Sequence, residues 1–424
     1  MNPGPHRMPT AMKTADHAQA LGQRATTIAH ASLPKAAARL LSLLTRLKIG
    51  TLTVHAPNGN NQVFGTHEAP FATLHIHRWE MCAEVLKSGD IGFAEGYMAG
   101  DWTTPDLAAL LRLTIANRDH IESAIYGHWL GRLFYRIKHL LNRNNRTNSR
   151  KNIHAHYDLG NAFYELWLDG TMNYSSAWFE GDHAKDMAEA QKAKVHRALR
   201  MVNAKPGDRV LEIGCGWGAL AEAATTEFGA HITGVTLSTE QLAFANARMQ
   251  SHGVQQRADL RLQDYRDIHD GPYDAVCSIE MIEAVGQEYW PTYFQTISRM
   301  LKPGGRACVQ SITIDDRFFE RYLQSTDFIQ QYIFPGGCLP SPSEFRKQAQ
   351  AAGLQVVDEL KFGPDYAETL RRWRDNFMSQ INDVRTLNFD NRFIRLWEFY
   401  LAYCEAAFDE ANIDVIQFTL AKPA

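Results

Sequence analysis

Arg209-Val-Leu-Glu-Ile-Gly-Cys-Gly-Trp-Gly218 is an apolar run that ends in three glycines spaced two apart. Val210, Leu211 and Ile213 read as a buried strand, and Ala219–Phe228 as the helix that follows it. Glycines at such a strand-to-helix turn tolerate positive φ and let the backbone come close to a ligand. Phosphate is the usual ligand there, yet the spacing is not G-x-G-x-x-G, which disfavours a dinucleotide. Glu212, on the strand just before the turn, also argues against a pyrophosphate. A carboxylate aimed at the site repels an anion and attracts a cationic amino-acid group, which points to S-adenosylmethionine.

Further units follow in series. Ala230–Val235 reads as a second strand ending in Thr236-Leu-Ser238-Thr-Glu-Gln241. Leu260–Leu262 is a third, followed by Gln263-Asp264-Tyr265. Tyr273–Ile279 is a fourth, ending in Glu280-Met-Ile-Glu283. After the turn Lys302–Gly305 a fifth spans Arg306–Gln310. Alternating strands and helices predict an α/β fold, a Rossmann-like doubly wound sheet of the class I methyltransferase type. Ligand groups in such sheets lie at the carboxyl ends of strands, here Glu212, Thr236, Asp264, Glu283 and Gln310.

The 424 residues are too many for one folding unit. With 45% hydrophobic and 21% charged residues, the composition excludes a disordered chain or a coiled-coil rod. Residues 1–33 read as a tail and 34–120 as a small N-terminal α+β domain. That domain is expected to hold a helix at Ala36–Leu47, strands at Gly50–His55 and Ala72–His77 around a Pro57–Asn60 turn, and helices at Glu80–Lys87 and Asp106–Ile115. Residues 121–152 read as a basic helix and polar linker, and 153–424 as the methyltransferase domain.

The net charge of −3 is unevenly spread, with 17 basic and 10 acidic side chains in residues 1–150 against 27 and 37 in the rest. Arg132, Arg136, Lys138, Arg143, Arg146, Arg150 and Lys151 fall in a stretch without an acid. Trp129, Leu133, Phe134, Ile137 and Leu141 mark one apolar face of the same stretch. Such a helix over residues 126–151 suits an anionic membrane surface, and packing on a neighbouring domain is the alternative. Nucleic acid is not expected, because most of the chain is acidic and no reading motif is present. No apolar run of about 20 residues and no secretory h-region occur, so the expected location is cytoplasmic, peripheral on the inner face of the membrane. Six scattered cysteines without CxxC read as reduced thiols.

Several stretches resemble the cyclopropane-fatty-acyl-phospholipid synthases: His156–Asn161, Met172–Trp178, Val210–Gly218, Gly234–Ser238, Gln263–Asp267, Tyr332–Pro340 and Phe362–Tyr366. They are spread over residues 154 to 410. The resemblance implies that Tyr174, Ser175, Gly214, Gly216, Thr236, Gln241, Asp264 and Tyr265 surround S-adenosylmethionine. Glu212, Cys215 and Gly218 join that set from the glycine turn. Glu283 and Tyr366 would lie at the reacting centre, and Cys404 matches a cysteine the family marks as active-site.

The implied substrate is a membrane phospholipid with an unsaturated acyl chain. The implied product is a cyclopropane fatty acid, and a methyl- or methylene-branched chain is the alternative. Methyl transfer leaves a carbocation, so the pocket must be dry, and aromatic faces can stabilise it. Tyr174, Trp178, Phe179, Phe328, Tyr332, Phe334, Tyr366, Trp373 and Phe377 are the aromatic candidates, three of them expected as pocket walls.

Members of the family hold bicarbonate as base with a Cys, a Glu, a His and a Tyr. This chain keeps Glu283 and Tyr366 but has Ser176 for the Cys, Gln310 for the His, and Ala284 after Glu283. Ser and Gln can hydrogen-bond an anion but do no acid–base work, which puts ring closure in question. A non-catalytic lipid-binding relative is a third possibility, and a homodimer is the assembly to be tested.

Glu280 reads either as a solvated neighbour of Glu283 or as its partner in a carboxylate pair. His75-x-His77 and His154-x-His156 lack a third ligand, so no metal is expected.

Overall fold

The computed structural model describes residues 33–121 and 159–424. The tail at 1–32, most of the basic segment and linker, and His154 and His156 lie outside the described residues.

The first sheet contains β1 (Thr51–His55), β2 (Asn61–Gly65), β3 (Phe71–Ile76) and β4 (Trp102–Thr103), in the order β2-β1-β3-β4. β1 and β2 form an antiparallel hairpin over the predicted turn, where Gly59 has φ +83° and the Asn58 side chain accepts the Asn60 N–H. β1 and β3 run parallel. Helices Lys35–Leu44, Glu80–Ser88 and Leu107–Ala116 lie close to their expected places. Asp106 caps the last of them by accepting the Ala109 N–H. Strands β2 and β4 and the helix Asp90–Ala99 were not anticipated. That helix carries Gly92 because a Cβ there would run into the Glu84 carbonyl of the preceding helix.

The second sheet has seven strands: β5 (Arg209–Ile213), β6 (His231–Thr236), β7 (Ala258–Leu262), β8 (Tyr273–Ile279), β9 (Leu301–Ile314), β10 (Gln355–Lys361) and β11 (Ile413–Ala421). Their order is β10-β11-β9-β8-β5-β6-β7. Strands β5 to β9 are mutually parallel, and β11 runs antiparallel to β9 and β10. From β5 the chain winds out to β6 and β7, then returns to β8 and β9 on the other side. The reversal opens a crevice at the carboxyl ends of β5 and β8, as the doubly wound expectation requires. β9 is longer than the expected Arg306–Gln310. It absorbs Lys302–Gly305 through a register shift, pairing Leu301 with Tyr273 and then Arg306 with Ala275.

Helices Gly363–Ser379 and Asn391–Asp409 pack on one another beside the crevice. The second of them also packs on the N-terminal helices Asp90–Ala99 and Leu107–Ala116. Phe399 meets the Phe93 and Trp102 rings, and the Tyr97 hydroxyl donates to Glu398 at 2.6 Å. One apolar core therefore runs from the first sheet into these helices. Among the described residues no helix is long and apolar enough to cross a membrane.

Candidate active site

A cavity of about 470 Å³ opens at the carboxyl ends of β5 and β8. On one side its wall is the glycine turn. Gly214 has φ +86°, and a side chain there would press on Met281. Gly216 has φ +50°, and the space its Cβ would take is open. Gly218, at φ +83°, starts the helix Ala219–Thr226 tightly against Ala245. Cys215 is buried, its side chain against Gly234, and burial holds the thiol far above its ordinary range.

Glu212 lines the cavity at 3% exposure, and its Oε2 has no hydrogen-bond partner. Burial pushes its pKa up, opposed by the Lys194 ammonium. Thr236 donates its hydroxyl to Gln241 Oε1 at 2.9 Å, also on the wall. Asp264 is gripped by Arg266, whose Nε and Nη2 donate at 2.8 and 2.6 Å, and the Tyr265 hydroxyl is buried without a partner. An orphaned buried carboxylate, an open glycine turn and a strand-end acid suit a ligand with a cationic amino acid and a polar ring. S-adenosylmethionine fits that donor set, and when bound it supplies an electrophilic methyl group. Arg266 is a residue that the sequence reading missed.

Just past the carboxyl end of β8, Glu280, rather than Glu283, gathers the expected reaction residues. Its Oε1 accepts the Ser176 N–H at 2.9 Å and Gln310 Nε2 at 2.7 Å, and its Oε2 accepts the Tyr366 hydroxyl at 2.7 Å. Ser176 and Gln310 are fully buried behind Glu280 and do not line the cavity. Ser176 contributes its backbone, its hydroxyl donating to the Ala177 carbonyl. Glu280 sits in the left-handed region at φ +50°, with its N–H on the Gln310 carbonyl. A non-glycine residue there costs roughly 1–3 kcal/mol and persists only where its surroundings fix it. The readable signal was its place at a strand's carboxyl end, which spacing alone did not separate from Glu283.

Glu283 also faces the cavity, with Oε1 on the Ile312 N–H and Oε2 making no hydrogen bond. Burial first, then the nearby Glu280 charge, pushes its pKa up to about 8. Burial raises the Glu280 pKa as well, opposed by the Lys194 ammonium and by the hydrogen bonds from Tyr366, Ser176 and Gln310. The two carboxyls therefore titrate as a coupled pair in which Glu283 is protonated at neutral pH. A carboxyl raised from 4.5 to about 8 on folding stabilises the protein fully below pH 4.5, and that contribution is lost as pH rises through 8. Glu283→Gln should accordingly narrow the fall in Tm between pH 5 and pH 9. An unchanged fall would show that Glu283 is not the group responsible.

Lys194, which the sequence reading also missed, is fully buried, with the Glu280 and Glu212 carboxylates near its ammonium. Its Nζ donates to Ser175 Oγ at 2.6 Å and to Asn173 Oδ1 at 3.3 Å, and burial lowers its pKa to about 8. Its ammonium favours the charged form of Glu280. Lys194→Met should move the acidic limb of the kcat/KM profile to higher pH, because Glu280 would then hold its proton longer. A profile that falls in height without shifting would exclude this electrostatic role.

Of the aromatic candidates, Tyr174, Phe334 and Tyr366 line the cavity. The Tyr174 hydroxyl lies 2.7 Å from that of Tyr400. Phe179, Phe328, Trp373 and Phe377 are fully buried core instead. The missing walls, Phe399, Tyr400, Tyr403 and Phe408, come from the helix Asn391–Asp409. Cys404, on the same helix, lines the cavity with its thiol driven far up by burial, so it stays protonated.

The sequence description of the mycolic acid cyclopropane synthetase family matches residues 144–418. A tuberculostearic acid methyltransferase of Mycobacterium tuberculosis is 38% identical over 398 residues, covering 92% of each chain. The cyclopropane-fatty-acyl-phospholipid synthase of Escherichia coli is 32% identical over 351 residues, 83% of this chain and 88% of its own. The crystal structure of a mycolic acid cyclopropane synthase complexed with SAH and CTAB superposes with a TM-score of 0.61 at 31% identity. It covers 64% of this chain and 98% of that one.

Proposed function

The chain belongs to the mycolic acid cyclopropane synthetase family, and on that premise we propose that it methylates the double bond of an unsaturated phospholipid acyl chain. It is an S-adenosylmethionine-dependent methyltransferase with the class I fold. Tyr174, Ser175, Glu212, Gly214, Cys215, Gly216, Gly218, Thr236, Gln241, Asp264 and Tyr265 are assigned to cofactor binding, Glu212 meeting the cationic amino-acid end.

The observation that carries the mechanism is the Glu280 carboxylate, held by Ser176, Gln310 and Tyr366. Those are three of the four positions expected to hold a bicarbonate ion. We read Glu280 as the base standing in its place, with Glu283 as its protonated neighbour. Once the alkene carbon is methylated, positive charge sits on the adjacent carbon. Tyr174, Tyr366 and Phe334 line the cavity and supply aromatic rings that can stabilise such a charge, and a largely apolar wall keeps out the water that would quench it. Glu280 then takes up the proton. Cys404, held as a neutral thiol, shapes the wall and is not a nucleophile.

The product we favour is the branch. Three hydrogen bonds hold the Glu280 carboxylate in place, so it cannot follow the cation as a free anion would. The cation then lives long enough for a hydride to move from the methyl-bearing carbon to its neighbour, which turns a secondary cation into a tertiary one. Loss of a methyl proton to Glu280 after the shift leaves a methylene branch, whereas loss before the shift closes the ring. The 38% relative is named as a methyltransferase and not as a cyclopropane synthase, and ring closure is the second reading because of the Escherichia coli relative.

Vesicles of monounsaturated phospholipid, incubated with protein and methyl-labelled S-adenosylmethionine, test the reading. Label should enter the acyl chain, and mass spectrometry should find a methylene branch. Unlabelled lipid with intact cofactor binding would leave only a lipid-binding protein. The anionic inner leaflet, met by the basic residues 126–151, is the proposed place of work, and vesicle binding should then weaken with salt.

A further inference from the structure

We propose that the N-terminal unit is an acyl-chain chamber, its interior taking the methyl end of the chain whose double bond lies at Glu280. This rests on the lipid reading above and adds where the far half of the substrate goes. The cavity walled by Glu280, Tyr366 and Cys404 does not stop at the reacting centre. It continues between the first sheet and its helices, where Leu44, Leu52, Leu74, Val85, Leu111 and Ile115 form its wall. These come from five different elements, so the space is the middle of that unit and not a surface dent. Leu52 and Leu74 stand on the same face of the paired strands β1 and β3.

Among the described residues, the ionisable side chains that this unit adds to the wall are Asp90 and Arg118. Both stand at the neck where the two parts of the cavity meet. Asp90 is turned onto the Phe328 N–H at 3.1 Å and the Tyr403 hydroxyl at 2.9 Å, and Arg118 lies over the Phe318 ring. The neck therefore presents a passing chain with groups already engaged by the protein. Beyond it nothing answers a phosphate or an amine, and an unbranched hydrocarbon is the ligand that fits.

A void inside an apolar core is destabilising when empty, and its retention here, continuous with a catalytic pocket, matches a ligand's place. Each methylene buried there should strengthen binding roughly fourfold. The chamber would thereby measure the distance between the double bond and the chain end, making its wall residues determinants of bond position.

The test uses the full chain and anionic phospholipid vesicles whose monounsaturated chain bears a diazirine on its terminal carbon. Photolysis followed by peptide mapping should place adducts within residues 35–121, on the segments carrying Leu52, Leu74, Val85 and Leu111. Adducts confined to residues 159–424, or no adducts while the lipid is methylated, would overturn the proposal. Chamber adducts without methylation would sink the chemistry and leave the chamber standing. Val85→Phe, which fills the space, should shift kcat/KM about tenfold toward chains shortened beyond the double bond. An equal loss for long and short chains in a variant of wild-type Tm would also overturn it, and the labelling of the unmodified protein decides should that variant not fold.

Discussion

Glu280→Gln should lower transfer of labelled methyl into phospholipid by about 10²–10⁴-fold, the range for loss of a general base. The substitution keeps the side chain's size but removes the charge and turns an amide toward the Gln310 and Ser176 donors, which already point at that oxygen. Cofactor affinity should stay within about twofold, because both Glu280 oxygens are already taken up by Ser176, Gln310 and Tyr366. Glu283→Gln should lose far less turnover, since that carboxyl is already protonated at neutral pH. Single-turnover transfer, measured beside cofactor titration, checks both. Equal losses in the two variants would remove the distinction drawn between the carboxylates.

The second large effect concerns the cofactor. Glu212→Gln should weaken S-adenosylmethionine and its demethylated product alike, by roughly 30-fold or more, the range for truncating a buried charge pair. Both ligands carry the same cationic amino-acid end, and Glu212 Oε2 has no other hydrogen-bond partner. Burial raises the Glu212 pKa in the free protein, so a cationic ligand must draw off a proton as it binds. Affinity should therefore rise with pH in the wild type and flatten in the variant. Calorimetric titration across pH 6 to 9 would show this, and a pH-independent wild-type affinity would place the cationic group elsewhere.

The parts of this site that could be read from sequence are those whose chemistry is local. The strand, glycine turn and helix at 209–226 follow from backbone requirements, and the doubly wound order follows from serial repetition of that unit. Ser176, Gln310 and Tyr366 meet at Glu280, a common partner that the sequence did not reveal. Only two residues lie between Glu280 and Glu283, and the left-handed backbone at Glu280 distinguishes it from its neighbour. Lys194 was invisible because its helix reads as polar, and a buried lysine is recognisable only by what encloses it. The helix Asp90–Ala99 was missed because Gly92 and Gly96 lower its propensity, while close packing on Glu84 and Trp102 pays for them. The cavity's extension into the first sheet could not be read at all, since leucines lining a void and leucines filling a core look alike in sequence.

The most direct test of the claim that an internal carboxylate occupies the place where the family resemblance implied bicarbonate is Glu280→Gly in bicarbonate-depleted buffer. Glycine suits the φ of +50° at that position and frees the donors of Ser176, Gln310 and Tyr366 for an anion. The wild type should turn over lipid at the same rate with or without bicarbonate. The glycine variant should be inactive until bicarbonate is added and then recover in a saturable way. A wild type that stalls without bicarbonate, or a glycine variant that works equally well in its absence, would contradict the account.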